Sequence, residues 1–274
     1  MPARERELFW LRKKHRKRLI QQPFPDDWLE FIERNVLFYH YLPPEKQREL
    51  LGLVRVFLAE KRFEGCGGLE ITDEIRLTIT AQACILLLNL DADFYPKLRS
   101  ILVYPYAFVA PAVSRHPDGT VSEGFQPRLG ESWSQGNVVL SWGDVLRGAA
   151  NLGDGRNVVI HEFAHQLDSE SGFCNGAPLL PRRSMYREWS RVLGREYEAL
   201  VDSVEQGRMT VIDKYGATSP AEFFAVVTEL FFEKPLELES FHPELYEQLK
   251  TYYGQDPASL MRAKAIEKPP IWLN

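Results

Sequence analysis

Residues 157–176 read NVVIHEFAHQLDSESGFCNG, and the first twelve decide the fold. Apolar residues at 158–160, 163, 164 and 167 predict a helix with one buried side. On a wheel of ~100° per residue, His165 lies ~40° from His161, so both imidazoles leave one face, one turn apart. That spacing lets two ring nitrogens reach one zinc ion at ~2.0–2.1 Å. Glu162 lies ~100° round the wheel, too far for a third ligand beside them but close enough to take a proton from a water at the metal. Two histidines flanking a glutamate in this order are the signature of zinc-activated hydrolysis. The rival is a core helix with two satisfied histidines. It must explain three polar side chains on an apolar helix, where burial without partners is costly.

A catalytic zinc takes three protein ligands and keeps one open position. A third histidine further along the same segment is ruled out, because Asp168 and Ser171 stand where glycine and histidine would be needed. His15, His40, His116 and His242 sit at no metal-binding spacing. Cys174 is a possible ligand, but the HExxH pattern completes more often with a glutamate on a second helix. The segment DKYGATSPAEFFAVVTELFF, residues 213–232, carries Glu222 in the first turn of an almost wholly apolar helix. Two readings of Glu222 stand side by side. It is a zinc ligand, or it is the N3 member of a capping box that begins at Ser219 and Pro220.

The rest of the chain predicts a mostly helical α+β fold with a small central sheet. Helices are expected in 23–42, entered through Pro25-Asp26-Asp27, over 43–62 and from Thr72-Asp73, with Trp28, Phe31, Ile32 and Val36 forming the stripe of the first. ILVYPYAFVAPAV (101–113) reads as a strand, at a sheet edge because Pro105 interrupts it. HPDGT (116–120) reads as a turn. GNVVLSW (136–142) reads as a strand; that its edge is open to an extended peptide rests on analogy with zinc-peptidase folds alone. Helices return at 185–204, 220–232 and 242–253. The expected organisation is a basic N-terminal tail (1–20), one domain over 21–260 and a C-terminal tail (261–274). The domain has a helical part (21–95) and a catalytic part (96–260). Trp272, in the C-terminal tail, is a candidate cover for the cleft.

Bulk properties narrow the class. At 274 residues, with 45% hydrophobic and 26% charged residues, the composition is that of an ordinary globular protein. No run approaches the ~18–20 apolar residues of a membrane span. Three cysteines without paired spacing point to reduced thiols and a cytoplasmic protein. The net charge of −5 hides an asymmetry: residues 1–20 hold eight Arg/Lys against two Glu, and the remainder has 25 basic and 36 acidic residues. Such a tail either meets an anionic partner or folds back on the acidic body. It carries no base-reading motif, so direct nucleic-acid binding is not expected.

HEFAHQLD and, later, YGATSPAEFFAV resemble the two motifs of the Mlc titration factor A family of zinc metallopeptidases. The likeness runs from about residue 20 to 260, through ILVYPYAFV and SWSQGNVVLSW. It implies a zincin-like fold similar to the catalytic domain of anthrax lethal factor. It implies one Zn2+ per chain on His161, His165 and Glu222, with Glu162 as general base and acid. It also implies that Tyr215 donates its hydroxyl to the tetrahedral oxyanion. Two weaker expectations concern groups behind the metal. Asp168, on the histidine face, orients an imidazole or caps its helix. Glu229, two turns after Glu222, bonds to a ligand histidine or belongs to an ordinary buried ion pair. The family implies aminopeptidase-type cleavage of short peptides and binding of an Mlc-type transcriptional repressor. A protein that only sequesters a repressor, with structural zinc, is the alternative.

Overall fold

The computed structural model describes residues 3–90, 93–106, 108–115, 121–128, 130–133 and 136–267. The expected turn at 116–120 and Trp272 lie outside them. The chain begins with helices α1 (Ala3–Gln21), α2 (Asp26–Asn35) and α3 (Pro44–Glu60), with a 3-10 turn over Leu37–Tyr41. Strand β1 (Arg62–Gly65) leads to helix α4 (Asp73–Ile85). Strands β2 (Ser100–Tyr104), β3 (Phe108–Arg115), β4 (Val121–Arg128), β5 (Gly130–Trp133) and β6 (Asn137–Ser141) follow. The remainder is helical: α5 (Trp142–Ala150), α6 (Val158–Ser169), α7 (Met185–Glu205), α8 (Pro220–Glu233), α9 (Pro235–Phe241), α10 (Pro243–Tyr253) and α11 (Pro257–Glu267). A 3-10 turn over Lys214–Thr218 precedes α8.

Local chemistry sets the ends of these elements. Thr72 caps α4 by accepting the Ile75 N–H. Proline occupies the first position of α3, α8 and α10, where its missing N–H costs nothing. Gly254 ends α10 at φ +61°, a left-handed conformation that favours glycine. Val36, expected within the stripe of α2, stands one residue past it and is still buried.

The sheet runs β1-β2-β6-β5, with the first three strands parallel and β5 antiparallel to β6. Ile101 pairs with Val138 and Val103 with Leu140, and all four are fully buried. This overturns the expectation of an edge strand at 101–113. Strand β2 is internal, because it ends at Tyr104 and Pro105 falls just beyond the ladder it would have broken. The remainder of that stretch turns into β3, which pairs with β4 in a separate hairpin. The expected open edge at 136–142 is overturned too. Strand β6 has a neighbour on each side, and the edge position beyond it belongs to β5.

The basic segment at the start is helix α1, lying along α3. Arg16 pairs with Glu60 at 2.6 Å, and both Arg12 and Arg16 pair with Asp93. One hydrophobic core joins the α2–α4 region to the sheet and the later helices. Phe163, on the back of α6, meets Tyr95 and Phe57 at ring distances of 4.8 and 5.8 Å. Phe231 and Phe232, on α8, meet Tyr253 at 5.7 and 5.2 Å. Each such buried ring stabilises the fold by roughly 1.5–3 kcal/mol. They pin α6 to Phe57 of α3 and to Tyr95, and α8 to α10, and α6 and α8 themselves lie against each other.

Candidate metal centre

Helix α6 starts at Asn157, whose side-chain oxygen accepts the N–H groups of Val159 and Ile160 at 3.1 and 3.0 Å. Helix α8 starts at Ser219, whose hydroxyl accepts the Glu222 N–H at 3.2 Å. Half of the expected capping box is therefore present. The other half is not, because the Glu222 carboxylate does not turn back to its own helix end. Its Oε2 lies 3.0 Å from His161 Nε2 and 3.3 Å from His165 Nε2. Two ligand atoms ~2.0–2.1 Å from one tetrahedral centre are themselves roughly 3.3 Å apart. Among the described residues, His161, His165 and Glu222 are the group whose nitrogen and carboxylate atoms converge in this way, all within 4.8 Å of one another. The donor set, two neutral-capable imidazoles and a carboxylate, suits a zinc ion.

The electrostatics follow from burial. Burial alone disfavours ionised Glu222, but hydrogen bonds and charge from the two imidazoles outweigh it and hold the carboxyl well below the usual range. For His161, burial alone lowers the pKa. Glu229 and Glu222 outweigh that and raise it well above the ordinary imidazole value.

Glu162 is 5% exposed, and its Oε2 has no hydrogen-bond partner among the described residues. Burial pushes its carboxyl up to about 7, against the pull of His161 and His165. A buried carboxylate oxygen without a hydrogen-bond partner beside such a cluster is an exception among buried polar groups and marks a candidate functional group.

Glu229 Oε1 lies 2.6 Å from His161 Nδ1, on the side of the ring away from Glu222. Tyr215 is 53% exposed, with its ring 5.9 Å from that of His161. Its loop is tied down by Asp213, which accepts the Tyr215 N–H at 2.9 Å and pairs with Arg156 at 2.6 Å. Asp168 makes no hydrogen bond to either imidazole among the described residues. Its Oδ2 accepts the Gly176 N–H at 2.7 Å and so anchors the loop after α6. Gly176 has φ +79°, and a Cβ there would stand 2.4 Å from the Pro220 carbonyl oxygen. Only glycine lets this loop close on the start of α8. The closure places Cys174 Sγ 3.7 Å from His165 Nδ1, behind the ring rather than on the side facing Glu222. Burial and Asp168 push the thiol up to about 12, which keeps it protonated. Cys174 is thus not among the converging ligand atoms.

Sequence reasoning missed a buried polar group behind the site. Asn157 Nδ2 donates to Gln82 Oε1 at 2.8 Å and to Glu233 Oε1 at 3.0 Å. The Asn157 N–H donates to Glu229 Oε2 at 2.5 Å. Asparagine before an apolar run signals a helix cap, but nothing in the spacing announces its other partners. Burial pushes Glu233 up to about 9, opposed by the Asn157 hydrogen bond and reinforced by Glu229. A raised folded-state pKa gives stability that is complete below the ordinary value of 4.5 and is lost as pH rises toward about 9. Glu233→Gln keeps the acceptor for Asn157 and never ionises. It should therefore gain on the wild type between pH 5 and pH 8, reaching about 1–3 kcal/mol. Thermal midpoints across that range check this, and parallel curves for the two proteins would refute it.

A buried pair of helices carrying two histidines and a glutamate at zinc spacing, with a second glutamate poised beside them, defines a metallopeptidase-type site. The family comparison agrees: residues 10–254 match the model of the glucose-regulated metallo-peptidase M90 family, and this chain belongs to that family. It is 45% identical over 243 residues to a Synechocystis protein described as uncharacterized protein slr2042, covering 88% of each chain. It is 33% identical over 230 residues to Mlc titration factor A of Klebsiella pneumoniae, covering 83% of this chain and 86% of the relative. To Mlc titration factor A of Escherichia fergusonii it is 33% identical over 226 residues, covering 81% and 84%.

Proposed function

We propose that this protein is a zinc-dependent peptidase that removes residues from the amino termini of short peptides. One observation carries the reading most. The Glu222 carboxylate leaves its own helix end and faces both Nε2 atoms of His161 and His165. These three residues would hold one Zn2+, which when bound supplies Lewis acidity to a water and to the scissile carbonyl. Glu162 takes the proton of the attacking water and returns it to the leaving amine. Glu229 holds the His161 ring so that Nε2 points to the ion. Tyr215 donates its hydroxyl to the oxyanion. Its exposure leaves the side chain within reach of a bound substrate. Dialysis against a strong chelator should abolish cleavage of unblocked peptide substrates, and one equivalent of zinc should restore it. Cleavage that persists in demonstrably zinc-free protein would reject the reading.

A second activity is favoured by the relatives' name, Mlc titration factor A. We assign this chain a binding partner of that type, an Mlc-like transcriptional repressor. Capture of such a repressor from the same organism by the Glu162→Gln protein would establish binding independent of turnover. Failure of both wild-type and variant protein to retain it would leave the peptidase alone. Three unpaired cysteines support a cytoplasmic location, and no described helix is long and apolar enough to cross a membrane.

A further inference from the structure

An N-cap needs one acceptor, and serine, aspartate or threonine supplies it as well as asparagine does. Position 157 uses far more than an acceptor. Asn157 is 3% exposed, and every polar atom it has is engaged. Its Oδ1 caps α6 through Val159 and Ile160. Its carbonyl accepts the His161 N–H at 2.9 Å. Its side-chain NH2 reaches Gln82 on α4 and Glu233 on α8. Its own N–H holds Glu229 Oε2 at 2.5 Å while Oε1 of the same carboxylate holds His161 Nδ1 at 2.6 Å.

The partners are themselves fixed. Gln82 donates to the Thr78 carbonyl at 3.0 Å, which leaves its Oε1 facing Asn157. Gly148 on α5 closes over the residue, with room for no more: a Cβ there would stand 3.0 Å from the Asn157 Cα. Among the capping side chains, only the amide of asparagine offers an acceptor for a helix end together with two donors for neighbouring elements.

We propose that Asn157 is a positioning residue of the metal centre, the joint through which α4 and α8 set the rotation of α6 and deliver Glu229 to His161. Rotation of α6 about its axis decides where both imidazoles point. The Glu229 carboxylate, clamped between residue 157 and the ring of residue 161, decides which way the first imidazole turns. The inference rests on the metallopeptidase reading, because its consequence is metal affinity.

The test compares zinc affinity, by competition with a chromogenic chelator, in the wild type and in Asn157→Ser, Asn157→Asp and Gln82→Leu. Far-ultraviolet circular dichroism confirms that each variant is folded. The serine and aspartate variants retain a capping acceptor and the backbone N–H that holds Glu229, and they lose the side-chain links to Gln82 on α4 and Glu233 on α8. Gln82→Leu breaks the link from the α4 side without touching the cap. Zinc affinity is expected to fall about 10–100-fold in all three, the range for loss of groups that orient metal ligands. In peptide cleavage at saturating zinc, kcat should fall while KM stays near the wild-type value. Wild-type zinc affinity in Asn157→Ser and Asn157→Asp would show that residue 157 is only a cap and overturn the inference. Wild-type affinity in Gln82→Leu would do the same for the link to α4. A wild-type protein that binds no zinc would overturn the metallopeptidase reading itself, an outcome distinct from the other two.

Discussion

Glu162→Gln should retain zinc at one ion per chain and lose nearly all peptide cleavage. General acid–base groups contribute about 10²–10⁴-fold, so kcat is expected to fall by a factor in that range. The substitution keeps the size and shape of the side chain and removes its ability to accept a proton. Nothing in the fold depends on that proton transfer. The Glu162 Oε2 has no hydrogen-bond partner among the described residues. Replacing a buried carboxyl with an amide removes a desolvation cost rather than a contact. The variant should therefore be no less stable than the wild type. Zinc analysis, a thermal scan and a peptide assay on one preparation check all three statements. Substantial turnover in the variant would remove Glu162 from the mechanism.

Glu222→Ala should have a different signature: loss of the metal, and with it the activity. The helix should survive, because its cap is the Ser219 hydroxyl on the residue 222 N–H, which alanine retains. Loss of groups that only orient metal ligands costs 10–100-fold in affinity, and loss of a ligand should cost more than about 100-fold. Ser219→Ala is the matching control. It should destabilise the protein by about 1 kcal/mol, the usual cost of a lost cap, and leave zinc in place. Zinc retained through gel filtration by Glu222→Ala, or lost by Ser219→Ala alone, would return Glu222 to the capping role.

Much of the site is legible in the sequence. Helix periodicity predicts that His161 and His165 share a face, because four residues span slightly more than one turn wherever the helix sits. The caps at Thr72 and Ser219 were legible for the same reason, since each involves atoms three residues apart. The strand at 101–113 shows where local reading stops. Pro105 signalled an edge, but whether a proline interrupts a ladder depends on where the neighbouring strand ends, and β6 stops pairing at Tyr104. Cys174 shows the same limit. Its distance along the chain said nothing of the ring side it meets, which is set by Gly176 closing on Pro220.

Sequence alone determined the two imidazoles, the glutamate between them and the apolar helix that carries them, because all are properties of one helical turn. Glu222 was a residue with two sound local explanations, and a capping box would have satisfied it. Only the packing of α6 against α8 decided that its carboxylate turns to imidazoles 61 and 57 residues away. The same packing, through Asn157 and Glu229, decided which way the first imidazole faces. Spacing specifies groups within a turn of each other; the meeting of groups on separate helices is set by the core that fixes how those helices lie together.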